Sequence, residues 1–203
     1  MTTLPSKLVD SSDGSTQLDL DELDGLKFKH VSTRSELDQL EQAGITKGMA
    51  WLDKQKSLDV LSEAFVCELH KRLFGAVWKW AGTFRKTEKN IGIDPLQIAI
   101  QLRHLLDDAK YWVEHGTYPP KELAARFHHK LVYIHPFPNG NGRHARIMAD
   151  AILKKLLNEP VIDWAGGYKL EYMNDRRNEY IAALRAADGH DFSPLLTFVG
   201  AEQ

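Results

Sequence analysis

Breaks at Pro95, between Gly116 and Pro120, and at Pro136 cut the middle of this chain into pieces of helical length. That punctuation limits the fold more than any other feature. After Pro95, "LQIAIQLRHLLDDAKYWVEHG" carries apolar residues at helical spacing and stops at Gly116. Pro119 and Pro120 open "KELAARFHHKLVYI", and Pro136 closes it, because the residue before a proline is pushed out of helical geometry. Upstream, "SLDVLSEAFVCELHKRLFGAVW" sets Leu58, Leu61, Phe65, Leu69 and Leu73 on one stripe. Downstream, "RHARIMADAILKKLL", "KLEYMNDRRNEYIAALRAAD" and a short "SPLLTFV" read as three more helices. "TRSELDQLEQAGI" predicts a short helix capped by Ser32 or Thr33 and stopped by Gly44. One stretch breaks the helical pattern. In "WAGTFRKTEKNIGIDP" the residues Thr83, Phe84, Thr87, Ile91 and Ile93 favour extended backbone, which predicts a small hairpin. The expected fold class is all-α, a helical bundle with one small β-hairpin.

A chain of 203 residues suits one domain. Residues 1–25, rich in Ser, Thr, Asp and Gly, read as a flexible or loosely docked arm, leaving 26–203 as the domain. A net charge of −2 gives no broad attraction to nucleic acid or anionic lipid, so an anion site must be local. One cysteine excludes an internal disulfide and suits a reducing compartment. Cys67 lies in an amphipathic stretch and reads as a core residue. No apolar run approaches the roughly 20 residues of a membrane span. The beginning "MTTLPSKLVDSSDGSTQ" lacks the pattern of a secretion signal, so the expected compartment is cytoplasmic.

Between two of the helices runs "HPFPNGNGRHAR", from His135 to Arg146. His135 leaves a helix at a rigid proline exit. Gly140 and Gly142 precede a helix expected to start near Gly142 or Arg143, where successive N–H groups can converge on an anion. Arg143 and Arg146, three apart, can face the same spot, and arginine forks suit phosphate oxygens. Two cations at a helix N-terminus oppose its dipole, a conflict that a bound polyphosphate relieves. The alternative is a plain helix–helix turn, which has no need of Phe137, Arg143 and Arg146 together. Histidine beside such a cradle can act as a base. No P-loop pattern occurs. His128 and His129 read as packing residues rather than metal ligands, and the five tryptophans as core. Arg176 and Arg177 read as an exposed pair. Asn174, Arg177, Asn178 and Tyr180 share a helix expected beside the motif helix, which makes them weaker candidates for an adenine pocket.

"HPFPNGNGRHAR" closely resembles the signature of the Fic-domain family, His-x-Phe-x-(Asp/Glu)-Gly-Asn-Gly-Arg-x-x-Arg, matching at His135, Phe137, Gly140, Asn141, Gly142, Arg143 and Arg146. "WAGTFRKTEKNIGI" resembles the family's Trp-Ala-Gly segment and the hairpin flap after it, and the helical plan over about 55–190 fits its core. "ELDGL" and "LEQAGIT" further resemble the small subgroup called mobile mystery protein B, whose members are encoded beside a helix-turn-helix partner. The resemblance implies transfer of AMP from ATP to a hydroxyl of a target protein, with pyrophosphate released. His135 would be the base and Phe137 the anchor of the loop. Gly140 and Gly142 would lend backbone, Asn141 and Arg143 would hold the α- and β-phosphates, and Arg146 the γ-phosphate. Lys86, Thr87, Glu88, Lys89, Asn90 and Ile91 would form the flap that docks the target. Removal of AMP, transfer of another phosphate-containing group, and a nucleotide-binding regulatory module are the alternative uses of such a site. Asn139 stands where the family carries the Asp or Glu that binds Mg²⁺, and an amide would hold that ion more weakly. The family's inhibitory helix places a glutamate on the second motif arginine. Glu36 and Glu41 are the candidates here, and a separate antitoxin-like protein is a further candidate regulator.

Overall fold

The computed structural model describes residues 20–164 and 174–201. Eight helices are named in it: α1 (Leu20–Leu23), α2 (Arg34–Lys54), α3 (Glu63–Phe74), α4 (Ile98–His115), α5 (Pro120–Ile134), α6 (Asn141–Ile152), α7 (Asn174–Asp188) and α8 (Ser193–Phe198). Their ends follow local chemistry. Thr33 caps α2 in a reciprocal box with Glu36, and Ser62 caps α3 through Phe65 N–H. Gly116 ends α4 in the left-handed region, and Pro120 opens α5 at its first position.

α2 lies along α3, α4 along α5, α5 along α6, and α7 along α8. One core, under α2 to α6, includes Leu69, Phe74, Trp78, Leu102, Phe127 and Phe137. A second joins α5 and α6 to α7 and α8 through Ala125, Ala149, Leu153, Tyr180 and Phe198. The loop from His135 to Gly140 runs out of α5 and into α6, so it is fixed by both packed partners.

Three expectations need correction. α2 does not stop at Gly44 but runs on to Lys54. A Cβ on Gly44 would stand 2.6 Å from the Leu73 carbonyl oxygen, so this glycine is a contact point between two helices. Close packing against α3 outweighs its poor helix propensity. The hairpin is not seen either: among the described residues there are no strands, and the extended pairing is one bridge between Leu26 and Trp78. The Arg85 guanidinium ties the segment instead, donating to the carbonyls of Thr87 and Ile93, so cross-strand pairs are not what closes it. Of the arm expected over 1–25, residues 1–19 lie outside the described residues, and its end is docked at two points: Leu23 is buried, and Lys79 N–H donates to Gly25 C=O.

Candidate active site

His135 is the last residue of α5's capping turn, held at φ 53° in the left-handed region. An L-residue with a branched ring accepts such a backbone at a cost of about 1–3 kcal/mol when its surroundings enforce it. They do. Arg85 Nε donates to His135 C=O at 2.6 Å, and Arg85 N–H donates to Pro136 C=O at 2.9 Å. Gly92 closes over the ring, where a Cβ would come within 2.5 Å of His135 Cβ. The ring's Nδ1 lies 3.2 Å from Val132 C=O. That contact makes Nδ1 the donor and puts the basic lone pair on Nε2. Burial pushes the imidazole down to about 4, and the neighbouring Arg85 and Lys89 add to the shift. It is therefore neutral at pH 7, the state a base requires.

Beyond His135 the loop turns on its own side chains. Phe137 is wholly buried and stacks on His70 at 3.8 Å between centroids. Asn141 faces inward: its amide donates to Phe137 C=O at 2.7 Å, and its Oδ1 accepts Phe137 N–H at 2.9 Å. Asn141 thus shapes the loop with its side chain, whose amide and oxygen are both used on the Phe137 backbone. Asn139 Oδ1 accepts the Gly140 N–H at 2.6 Å.

The two glycines differ. Gly140 has φ +78°, and a Cβ there would meet the Phe74 ring at 2.8 Å. Gly142 has no positive φ, and among the described residues the atoms a Cβ on it would meet are Tyr180 Oη at 3.9 Å and Arg146 Nη1 at 4.0 Å, both at ordinary contact distance. A phenol and a guanidinium therefore stand beside the start of α6. Arg146 reaches over the Tyr180 ring, and Tyr180 Oη is 2.9 Å from His128 Nε2. Arg143 lies over the Phe74 ring on the same turn. The first turn of α6 has no acidic residue. Amides, two arginines and a dipole all favour an anion here.

The other expected residues separate. Lys86, Thr87, Glu88 and Asn90 are exposed and Ile91 is half-buried, whereas Lys89 turns inward to an ion pair with Glu22. A cavity of about 240 Å³ lined by Glu88, Lys89, Gly92, Ile93 and Asp94 opens at this segment. Glu36 does not approach the motif, because its carboxylate accepts the N–H groups of Ser32 and Thr33. Glu41 does reach it, pairing with Arg143 at 2.6 Å rather than with Arg146. Arg176, expected to be exposed, packs on the Phe198 ring at 3.8 Å. Asn174 has no described side chain, and Asn178 is exposed. Burial raises the Cys67 thiol to about 11, as suits an inert packing residue.

Sequence reasoning missed His70. Its Nδ1 accepts Gly82 N–H at 3.0 Å, so Nε2 is the donor to Asn139 C=O at 3.0 Å. One neutral, fully buried ring thereby ties the Trp-Ala-Gly turn to the glycine loop. A signal existed: Val66, His70 and Phe74 form an i, i+4, i+8 row, so a histidine stands in an apolar stripe.

The family model for "Fic/DOC family" matches residues 60–153, which hold α3 to α6 and the whole of this loop. The chain belongs to the Fic/DOC family. It is 29% identical over 176 residues to "Protein adenylyltransferase Fic" of Nematostella vectensis, covering 83% of this chain and 39% of that protein. It is 32% identical over 152 residues to "Protein adenylyltransferase fic-1" of Caenorhabditis elegans, covering 71% of this chain and 27% of that protein. Thus the chain spans well under half the length of these relatives. The solved structure of Caenorhabditis elegans Fic-1 superposes with a TM-score of 0.65 at 26% identity, over 88% of this chain and 51% of that one. BepC of Bartonella tribocorum, solved with bound AMPPNP, gives 0.69 at 16% identity over 98% and 97%, a likeness of fold alone. Among the described residues no helix is long and apolar enough to cross a membrane.

Proposed function

We propose that this Fic/DOC chain is a protein adenylyltransferase, moving AMP from ATP to a hydroxyl side chain of a target protein and releasing pyrophosphate. The relatives' names support the reaction class. The observation that carries it is Gly142. A helical glycine costs stability relative to alanine, by up to about 1 kcal/mol. Among the described residues neither its φ nor its packing asks for glycine, which supports a ligand lying against the backbone. The chemistry around that place is that of a phosphate chain.

In this reading His135 Nε2 takes the proton of the target hydroxyl as its oxygen bonds to the α-phosphorus. The bond between that phosphorus and the bridging oxygen breaks, and pyrophosphate leaves with its charge held by the α6 amides, Arg143 and Arg146. The segment 86–91, exposed at Lys86, Thr87, Glu88 and Asn90, is the docking place for the target. Among the described residues the motif does not build a Mg²⁺ site: position 139 has no carboxylate, and the Asn139 oxygen is already turned onto Gly140 N–H. Any such ion arrives as part of the nucleotide substrate. That same observation favours a second reading, a nucleotide-binding module with little turnover. "ELDGL" and "LEQAGIT" support a place in the mobile mystery protein B subgroup, with a separate regulatory protein; the single cysteine supports a cytoplasmic setting.

Incubating the chain with α-labelled ATP and lysate tests the proposal. Label should appear on protein and vanish in His135→Ala. Tight ATP binding with no labelled protein would favour the second reading, and no binding would reject both.

A further inference from the structure

Glu41 is buried in the middle of α2, 2% exposed, and its two oxygens have different partners. Oε1 accepts Trp78 Nε1–H at 2.6 Å, and Oε2 lies 2.6 Å from Arg143 Nη1. Arg143 also lies with its guanidinium carbon 4.9 Å from the centre of the Phe74 ring. One carboxylate therefore joins α2, the segment after α3 and the first turn of α6. Sealing a carboxylate from water is unfavourable unless partners compensate it; here Trp78 donates to Oε1, while Oε2 accepts no hydrogen bond and is balanced by the charge of the Arg143 guanidinium. The close approach of α2 to α3 at Gly44, one turn on, sets Glu41 at that depth.

Resting on the adenylyltransferase reading, we propose that Glu41 is a positioning residue for nucleotide binding: it holds Arg143 by one edge so that the guanidinium's other donors face the phosphates. Two effects compete. The negative charge offsets part of Arg143's attraction for an anion. Against that, an untethered arginine at a helix N-terminus is repelled by the dipole and has many rotamers open to it. A polyphosphate brings several charges and is not outweighed by one carboxylate, so ordering prevails. Among the described residues the place of a Cβ on Gly142 has Tyr180 and Arg146 within 4.0 Å and no atom of Glu41. Arg146 is not its partner, which separates this contact from a glutamate laid across the second motif arginine.

Calorimetric titration of the full chain with ATP and, separately, with adenosine tests the role. Glu41→Ala should weaken ATP at least tenfold and leave adenosine within twofold, since the tether acts on the phosphates. Glu41→Gln keeps one acceptor oxygen for Trp78 Nε1–H but sets an NH2 donor where Oε2 met Arg143, and should lose ATP affinity by at least threefold with adenosine within twofold; it carries the same comparison should the alanine variant fail to fold. Unchanged or tighter ATP binding in either variant, or more label transferred by Glu41→Ala, would overturn the proposal by making Glu41 a bystander or a brake. Equal losses for ATP and adenosine would overturn it too, since they mark a merely structural residue. Failure of the parent reading looks different: an unaltered chain that binds no ATP overturns both, whereas ATP binding with the expected split and no labelled protein removes the transfer reaction alone.

Discussion

The inner and outer sides of the 137–142 loop are built from the same few residue types and serve opposite ends. On the inner side Phe137, Asn139, Gly140 and Asn141 spend their contacts on the protein: a ring on His70, a carbonyl on His70 Nε2, a backbone fitted against Phe74, an amide returned to Phe137. On the outer side, among the described residues, Gly142 stands at ordinary contact distance from Arg146 and Tyr180, with nothing pressed against it. Two glycines separated by one residue thus differ in what they touch. One fits the fold and the other is a cost to it, and the difference is what the proposed nucleotide site explains.

The largest expected effect tests the inner side as a whole. His144 and His128 are buried and pushed down to about 3, chiefly by burial, and His135 to about 4. Because these folded values lie below the ordinary 6.5, the stability they carry is complete above that pH. It is lost as pH falls below 6.5, at about 1.4 kcal/mol per pH unit for each extra proton the unfolded chain binds, and the loss levels off at about 4 for His135 and about 3 for His128 and His144. Asp150, raised to about 6 by burial, works in the opposite direction and offsets part of the loss. The urea midpoint should fall by several kcal/mol equivalent between pH 6.5 and 5, and an unchanged midpoint would break the picture of neutral histidines behind the loop.

A smaller loss is expected from Gly140→Ala. The positive φ and the contact at 2.8 Å with Phe74 together should cost about 2–5 kcal/mol, read as a lowered melting temperature. A variant that melts like the parent would erase the distinction between the two glycines.

Much of this was legible in sequence. The caps at Thr33 and Gly116 and the proline at 120 were local signals, and the motif named its own residues. What misled was tertiary. Gly44 reads as a stop until α3 lies against it, and the β-favouring residues from Thr83 to Ile93 read as a hairpin until Arg85 gathers their carbonyls. His70 and Trp78 were invisible as site residues because their roles depend on partners 69 and 37 positions away. The choice of Arg143 over Arg146 as Glu41's partner is likewise a matter of helix placement that spacing does not carry.

The smallest change is also the most telling. Gly142→Ala meets no packing obstacle, so melting should move by no more than the about 1 kcal/mol of the helix-propensity gain. Calorimetry of ATP binding to the unaltered chain and to this variant is the direct measurement. The account predicts that the unaltered chain binds ATP and that a single methyl group at 142 weakens it at least tenfold while the fold stays as firm or firmer. Equal ATP affinity in the two proteins would contradict it.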